Sequence, residues 1–211
     1  MPKPWTTVFP HPTHWDERFS EPGYYYGEEP NDFLRSVAGR FAPRSRILSL
    51  AEGEGRNAVH LAALGHQVTA VDASPAGLRK AEALAAKRGV DLTMVQADLA
   101  TYPIAAGAWD AIVAIFCHLP PEIRAAVHRR TVAGLRPGGL FVLEAYTPAQ
   151  LAFGTGGPQV AELLMRLDDL RTELAGLDLD IGQEVEREVL EGRGHTGRSA
   201  VVQILGVRPG G

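Results

Sequence analysis

A glycine-rich octapeptide, Leu50-Ala51-Glu52-Gly53-Glu54-Gly55-Arg56-Asn57, lies between a short apolar run and a stretch with helical periodicity. Glycine lets backbone pass close to a bound molecule, because a side chain at Gly53 or Gly55 would take up the ligand's space. Asp72 ends the next apolar run, Val68-Thr69-Ala70-Val71. A carboxylate there can accept hydrogen bonds from both ribose hydroxyls of an adenosine, and a turn or helix-capping role is its alternative. Asp98 follows a third run, in Val95-Gln96-Ala97-Asp98-Leu99, where it can meet an adenine amino group while Leu99 lies against the ring. The glycine turn alone is ambiguous: Gly53-x-Gly55-x-x-Ala58 also fits a dinucleotide fingerprint and keeps a nicotinamide-dependent oxidoreductase as a rival.

These residues can cooperate only if strands and helices hold them at one edge. Ile47 to Ala51, Gln67 to Val71, Leu92 to Val95, Ala111 to Phe116 and Gly139 to Glu144 read as strands. Helical spacing follows at Ala58 to Leu64, from the cap Ser74-Pro75 to Gly89, and at Pro121 to Leu135. A further helix is expected near Phe33 to Val37 and another over Gln159 to Leu174. Apolar strands alternating with helices demand a parallel sheet covered on both faces. Ile181 to Leu190 and Ala200 to Val207 are two more strand-like runs, and the short link Glu191 to Arg198 permits only an antiparallel pair. The expected fold is therefore α/β: a Rossmann-like, seven-stranded, mostly parallel sheet with helices on both faces and a C-terminal antiparallel hairpin.

The chain of 211 residues is read as a single domain, divided into an aromatic arm (1–30), a core (31–146) and a terminal helix and strand pair (147–211). Seven of the aromatic residues, Trp5, Phe9, Trp15, Phe19, Tyr24, Tyr25 and Tyr26, fall in the arm. So much apolar area predicts an arm that packs on the domain or closes over a ligand. With 21 Lys+Arg against 25 Asp+Glu the net charge of -4 gives no basic stripe for nucleic acid, so a small-molecule partner is expected. Cys117 is the only cysteine, which excludes an intrachain disulfide and a cysteine metal cage. No metal is expected: His11-x-x-His14 lacks further ligands, and Pro12 is read as preventing a helical pair there. The absence of an apolar leader or span leads to the expectation of a soluble, cytoplasmic protein without a membrane partner. Oligomeric state is unreadable.

Taken together, the glycine turn, Asp72, Asp98, Trp109-Asp110 and Leu135-Arg136-Pro137-Gly138-Gly139 resemble the class I S-adenosylmethionine-dependent methyltransferases over residues 45–145. The arm, with Trp15-Asp16-Glu17-Arg18-Phe19, Tyr26-Gly27 and Pro30-Asn31, resembles the tellurite-resistance-type branch. The resemblance implies S-adenosylmethionine as cofactor and an antiparallel seventh strand inserted between the fifth and sixth. It implies cofactor contacts from Trp15 and Arg18, from Ala51, Glu52, Gly53, Gly55, Arg56 and Asn57, and from Asp72, Ala73, Ala97, Asp98, Leu99, Ile115 and Phe116. The chain departs from the family pattern at Ser49, where an acidic residue is usual, and at Ala51, where glycine is usual. Glu52 or the Ala51 carbonyl is then expected to take the cofactor's ammonium group, and Arg56 its carboxylate.

The implied reaction is methyl transfer to a small-molecule acceptor by in-line displacement, which demands proximity more than a strong base. A protein that binds S-adenosylmethionine without catalysis is the rival of another class. His118, as a neutral imidazole, and Tyr146 are the expected catalytic residues, with Glu144 nearby. His195 reads as a solvated hairpin residue. Pro120-Pro121 lacks the flanking residues of the amino methyltransferases that act on DNA. Cys117 reads as a small buried residue, not a nucleophile.

Overall fold

Alternation along the central strands assigns their side chains to two faces. In the computed structural model, which describes residues 12–210, Leu48, Leu50, Ile112, Ala114, Phe141, Leu143, Val202 and Ile204 share one core cluster. Ile47, Ala111, Val113, Ile115, Leu140, Val142 and Leu205 share the other. Strands buried on both faces read as continuous apolar runs, which is how they were legible in the sequence. The strands are β1 (Arg46–Leu50), β2 (Gln67–Asp72), β3 (Thr93–Gln96), β4 (Trp109–Ile115), β5 (Leu135–Tyr146), β6 (Asp178–Glu191) and β7 (His195–Val207). Their order is β3-β2-β1-β4-β5-β7-β6, parallel up to β5 and antiparallel beyond. The seven-stranded, mostly parallel expectation holds, as does the insertion of β7 between β5 and β6.

The helices are α1 (Pro12–Ser20), α2 (Asp32–Val37), α3 (Arg56–Ala63), α4 (Pro75–Arg88), α5 (Pro121–Gly134) and α6 (Leu167–Glu173). The α4 boundaries follow the local rules: the Ser74 side chain accepts from the Gly77 N–H, Pro75 opens the first turn, and Gly89 closes the helix with φ 67°. Strand order reverses between β1 and β4, which places the ligand crevice at their carboxyl ends. Among the described residues no helix is long and apolar enough to cross a membrane.

Four expectations are corrected. Gln159 to Leu174 is not one helix: a single turn at Ala161–Leu163 gives way to extended chain before α6 begins at Leu167. Leu163, Leu164 and Met165 are all buried, and three consecutive apolar residues cannot share one helical face. Met165 N–H instead donates to Tyr146 C=O at 2.9 Å. The hairpin link is much shorter than the expected stretch, because Glu191 pairs with His195 across the tip. Pro12 does not prevent a helix but opens α1, since a first-turn proline has no amide donor to lose; His11 lies outside the described residues. Finally, the side chain that Gly55 lacks would not meet a ligand. Its φ is 94°, and a Cβ would sit 2.6 Å from the Cα of Ala81, so this glycine serves the close approach of α3 to α4.

Candidate active site

The carboxyl ends of β1, β2 and β4 open into a cavity of about 800 Å³. Of the residues expected at the cofactor, Trp15, Arg18, Ala51, Glu52, Gly53, Arg56, Asn57, Asp72, Ala73, Ala97, Asp98, Leu99, Ile115 and Phe116 line it, and Gly55 does not. Ala51 and Phe116, the residues that leave β1 and β4, have φ of 50° and 51°. Left-handed backbone at a non-glycine residue stores strain of about 1–3 kcal/mol; a third such residue, Arg44, does not line the cavity.

Asp72 ends β2 with its carboxylate already at work in the loop. One oxygen accepts from Gly53 N–H at 2.7 Å and the other from Ser74 N–H at 2.8 Å. Burial raises its pKa, opposed by these backbone hydrogen bonds. A carboxylate oxygen has two acceptor sites, so each retains one for a ligand hydroxyl. The turn role thus leaves room for a ligand. Asp98 caps its own turn, accepting from Ala100 N–H at 2.8 Å, and remains exposed at the rim.

Glu52 is buried and points inward. Its Oε1 accepts from Asn57 and Ala58 N–H at 3.0 and 2.9 Å, satisfying two of the open donors at the start of α3, and its Oε2 contacts the Ser49 hydroxyl. Burial pushes its pKa up against those hydrogen bonds. A small Ser49 therefore goes with a carboxylate supplied three residues later. Arg56 is also engaged: it pairs with Glu191 at 2.5 Å and donates to the Glu29 carbonyl at 3.3 Å. Its guanidinium is committed to holding the hairpin and is not free as expected. Arg18 is different. It lies over the Trp15 and Tyr25 rings, 5.2 and 4.7 Å from their centroids, donates to the Tyr26 hydroxyl, and makes no ion pair among the described residues.

The arm forms the outer wall. Asp16 of α1 accepts from Ser74 Oγ and Ala76 N–H at 2.7 and 2.8 Å, docking α1 on the start of α4. Glu54, buried, takes Tyr25 N–H at 2.7 Å, Tyr26 N–H at 3.2 Å and the Lys80 ammonium at 2.8 Å. The hairpin tip meets the same segment. A Cβ on Gly192 would lie 2.3 Å from the Tyr25 carbonyl, and one on Gly194 2.4 Å from the Tyr25 and Tyr26 rings.

Across the cavity from β1, the tip brings in a residue expected in solvent. His195 is buried, with its ring 4.5 Å from Tyr26, 4.4 Å from Phe116 and 5.3 Å from Tyr146, centroid to centroid. It lines the cavity and Tyr146 does not. Tyr146 is fully buried, its hydroxyl without a hydrogen-bond partner among the described residues and its pKa pushed up, first by burial. His118 lines the cavity, but both its ring nitrogens face backbone: Nδ1 is 2.9 Å from Leu163 C=O, and Nε2 accepts from Tyr146 N–H at 3.4 Å. Burial lowers its pKa to about 4, so it is neutral. Cys117 is buried, its thiol pushed up to about 12 by burial and by Asp72.

Residues 47–139 match the family described as a methyltransferase domain. Two curated relatives are similar: a 2-heptyl-1-hydroxyquinolin-4(1H)-one methyltransferase of Mycobacteroides abscessus, 27% identical over 64% of this chain, and an uncharacterized protein of Mycobacterium tuberculosis, 34% identical over 49%. The chain spans 66% and 38% of their lengths. Among solved structures, TehB of Haemophilus influenzae superposes with a TM-score of 0.68 at 16% identity, covering 93% of this chain and 66% of that one. A SAM-dependent methyltransferase of Methanosarcina mazei gives 0.66 at 16%, covering 86% and 99%. A protein from work on converting a disulfide into a thioacetal in echinomycin biosynthesis gives 0.73 at 19%, covering 90% and 86%. At such identities the likeness is one of fold.

The residues at the cavity fit the S-adenosylmethionine that the sequence resemblance implies: Asp72 keeps acceptor capacity for ribose hydroxyls, and Leu99, Ile115 and Phe116 supply apolar walls. Asp72→Ala should weaken S-adenosylhomocysteine binding by about 1.5–3 kcal/mol, the range for hydrogen bonds to a charged group, as read by titration calorimetry. It should also lower the melting temperature, because Gly53 and Ser74 lose their acceptor. An unchanged dissociation constant in the folded variant would leave the carboxylate with the loop role alone.

Proposed function

We propose that the protein transfers a methyl group from S-adenosylmethionine to a small-molecule acceptor held against the aromatic wall of the cavity. One observation carries the reading: a single cavity joins Asp72 and the glycine turn to the rings of Trp15, Tyr25, Tyr26, Phe116 and His195. Bound S-adenosylmethionine supplies an electrophilic methyl group on sulfur. In this reading Asp72 takes the ribose, Asp98 the adenine edge, and Arg18 the carboxylate that Arg56 cannot serve. Glu52 shapes the turn through α3. His118 holds the loops after β4 and β5 in register, both nitrogens being used for that. The arm excludes water from the reacting atoms, which strengthens the electrostatics of the site. Net charge -4 supports an acceptor other than nucleic acid. The arm motifs and the glycine turn support the tellurite-resistance-type branch.

S-adenosylmethionine and S-adenosylhomocysteine should raise the melting temperature by mass action, and NAD and NADP should not. Calorimetry showing nicotinamide binding with no response to either sulfur nucleoside would restore the oxidoreductase reading. Binding without S-adenosylhomocysteine release across an acceptor panel would favour a non-catalytic sensor.

A further inference from the structure

Two buried groups at the hairpin tip have no part in cofactor binding. Glu191, the last residue of β6, and His195, the first of β7, face each other across the turn, with His195 Nδ1 3.6 Å from Glu191 Oε2. Glu191 is fixed from three sides: Arg56 at 2.5 Å, the Asn31 side-chain amide at 2.8 Å, and Arg187 at 3.4 Å. His195 is fixed by rings, Tyr26 on one side and Phe116 and Tyr146 on the others. Its Nδ1 is buried, with no hydrogen-bond partner among the described residues. Among the described residues nothing hydrogen-bonds to Nε2, on the ring edge away from Glu191, while the residue lines the cavity.

From this geometry, and resting on the methyl-transfer reading, we infer that His195 is the general base of the reaction, oriented by Glu191, and that the acceptor is an aromatic compound bearing a weakly acidic O–H or S–H. The carboxylate behind Nδ1 holds the proton on that nitrogen and leaves the Nε2 lone pair facing the cavity. The 3.6 Å separation is longer than a hydrogen bond, as is common before substrate tightens such a pair. In the step, the acceptor O–H or S–H bond breaks and its proton passes to Nε2. The freed electron pair forms the bond to the methyl carbon, the carbon–sulfur bond of the sulfonium breaks with its pair staying on sulfur, and the imidazolium later returns its proton to water. A hydroxyl is a poor nucleophile until it loses its proton, so a base matters for this class. A free amine already presents its lone pair and needs none.

The ionisable neighbours agree. Burial raises Glu191, but the His195 and Arg56 contacts outweigh it and hold its pKa at about 2, so it is a carboxylate at every working pH. His195 is lowered below the ordinary imidazole value, first by burial and also by Arg56, with Glu191 and Glu144 opposing. It is therefore a free base at neutral pH and loses this role only as pH falls below that lowered value. Tyr26 and Tyr146 face it as neutral phenols, both raised by burial.

Nitrogen NMR of the histidine side chains in the full chain with S-adenosylhomocysteine tests this without turnover. The expected result is a neutral His195 carrying its proton on Nδ1, with the Nε2 signal shifting when 2-heptyl-1-hydroxyquinolin-4(1H)-one or phenylmethanethiol is added. In Glu191→Gln the Nδ1–H preference should be lost. A proton on Nε2 in the wild type overturns the assignment, whatever the activity. In single-turnover assays with these two probes and methyl-labelled cofactor, His195→Gln should lower the rate about 10²- to 10⁴-fold. It should leave S-adenosylhomocysteine affinity intact and regain activity as pH rises through the acceptor's own pKa. Wild-type rates in a folded His195→Gln overturn the base, and no methylation of either probe by the wild type overturns the acceptor class. Failure of the wild type to bind S-adenosylhomocysteine would instead sink the methyl-transfer reading itself.

Discussion

Glu144→Ala should cost about 3–5 kcal/mol of stability, the range for stripping one partner from a buried ion pair. For a chain of this size that is a fall in melting temperature of roughly 6–20 °C, measurable by calorimetry. Glu144 lies two residues before the end of β5 and is fully buried. Its Oε1 accepts from the Asn31 amide at 2.7 Å and contacts Arg187, and its Oε2 accepts from Arg187 Nε at 3.1 Å and from Gln203 at 2.6 Å. Removing it leaves the Arg187 guanidinium, largely shielded, with Glu191 at 3.4 Å and Asp32 at 3.7 Å as its remaining carboxylates. The Asn31 and Gln203 amides lose acceptors as well. Glu144→Gln should be milder, because an amide keeps one acceptor oxygen while losing the charge. Equal melting temperatures for wild type and Glu144→Ala would mean that water replaces every lost contact, which would contradict a site with no exposed surface.

That network explains where sequence reading reached and where it stopped. The sheet was legible because double-sided burial prints itself as apolar runs, and Asp72 because it ends one of them. Local rules also marked the ends of α4, through Ser74-Pro75 and Gly89. Glu144, Arg187, Glu191 and Asn31 were not legible as partners, since they come from β5, β6 and the approach to α2 and meet only once β7 is threaded between β5 and β6. His195 was misplaced for the same reason: a polar residue beside Gly192 and Gly194 reads as a solvated turn, and only the Tyr25-Tyr26 segment packed on that turn makes it interior. The glycines were themselves the signal. Two of them flanking Arg193 indicate a tip that something presses against, and the aromatic triple Tyr24-Tyr25-Tyr26 was the available partner. Gly55 misled in the opposite sense, its missing side chain serving α3–α4 packing instead of a ligand.

Deleting residues 1–28 should leave a folded sheet domain whose turnover is lost by at least about 10²-fold and whose hold on S-adenosylhomocysteine is weakened. Misplacing groups at a reacting centre by an ångström costs rates on that order. The arm's contacts are made with the rim and the tip of the β6–β7 hairpin and not with the sheet's core: Asp16 reaches Ser74 and Ala76, the Tyr25 and Tyr26 amides reach Glu54, Tyr26 packs on His195, and Lys80 donates to the Glu21 and Gly23 carbonyls. The two core clusters on the sheet faces contain no residue before Phe33. Cutting the arm away therefore opens the cavity while sparing the core. Trp15, Arg18, Phe19, Tyr25 and Tyr26 all line that cavity, so the loss removes its outer wall and Arg18, which makes no ion pair among the described residues. Glu54→Ala offers a graded version. It deletes the acceptor of two backbone N–H groups and the partner of Lys80, worth about 1.5–3 kcal/mol as charge-assisted hydrogen bonds. Hydrogen exchange at residues 14–30 should quicken in Glu54→Ala and slow again with S-adenosylhomocysteine, while the centre of β4 stays unchanged. If the truncated chain unfolds, the arm is structural cover for Gly53 and α4. If it folds and keeps wild-type affinity and turnover, the arm is neither lid nor cover, and acceptor contacts must come from Phe116, His195 and the Gly156–Val160 segment alone.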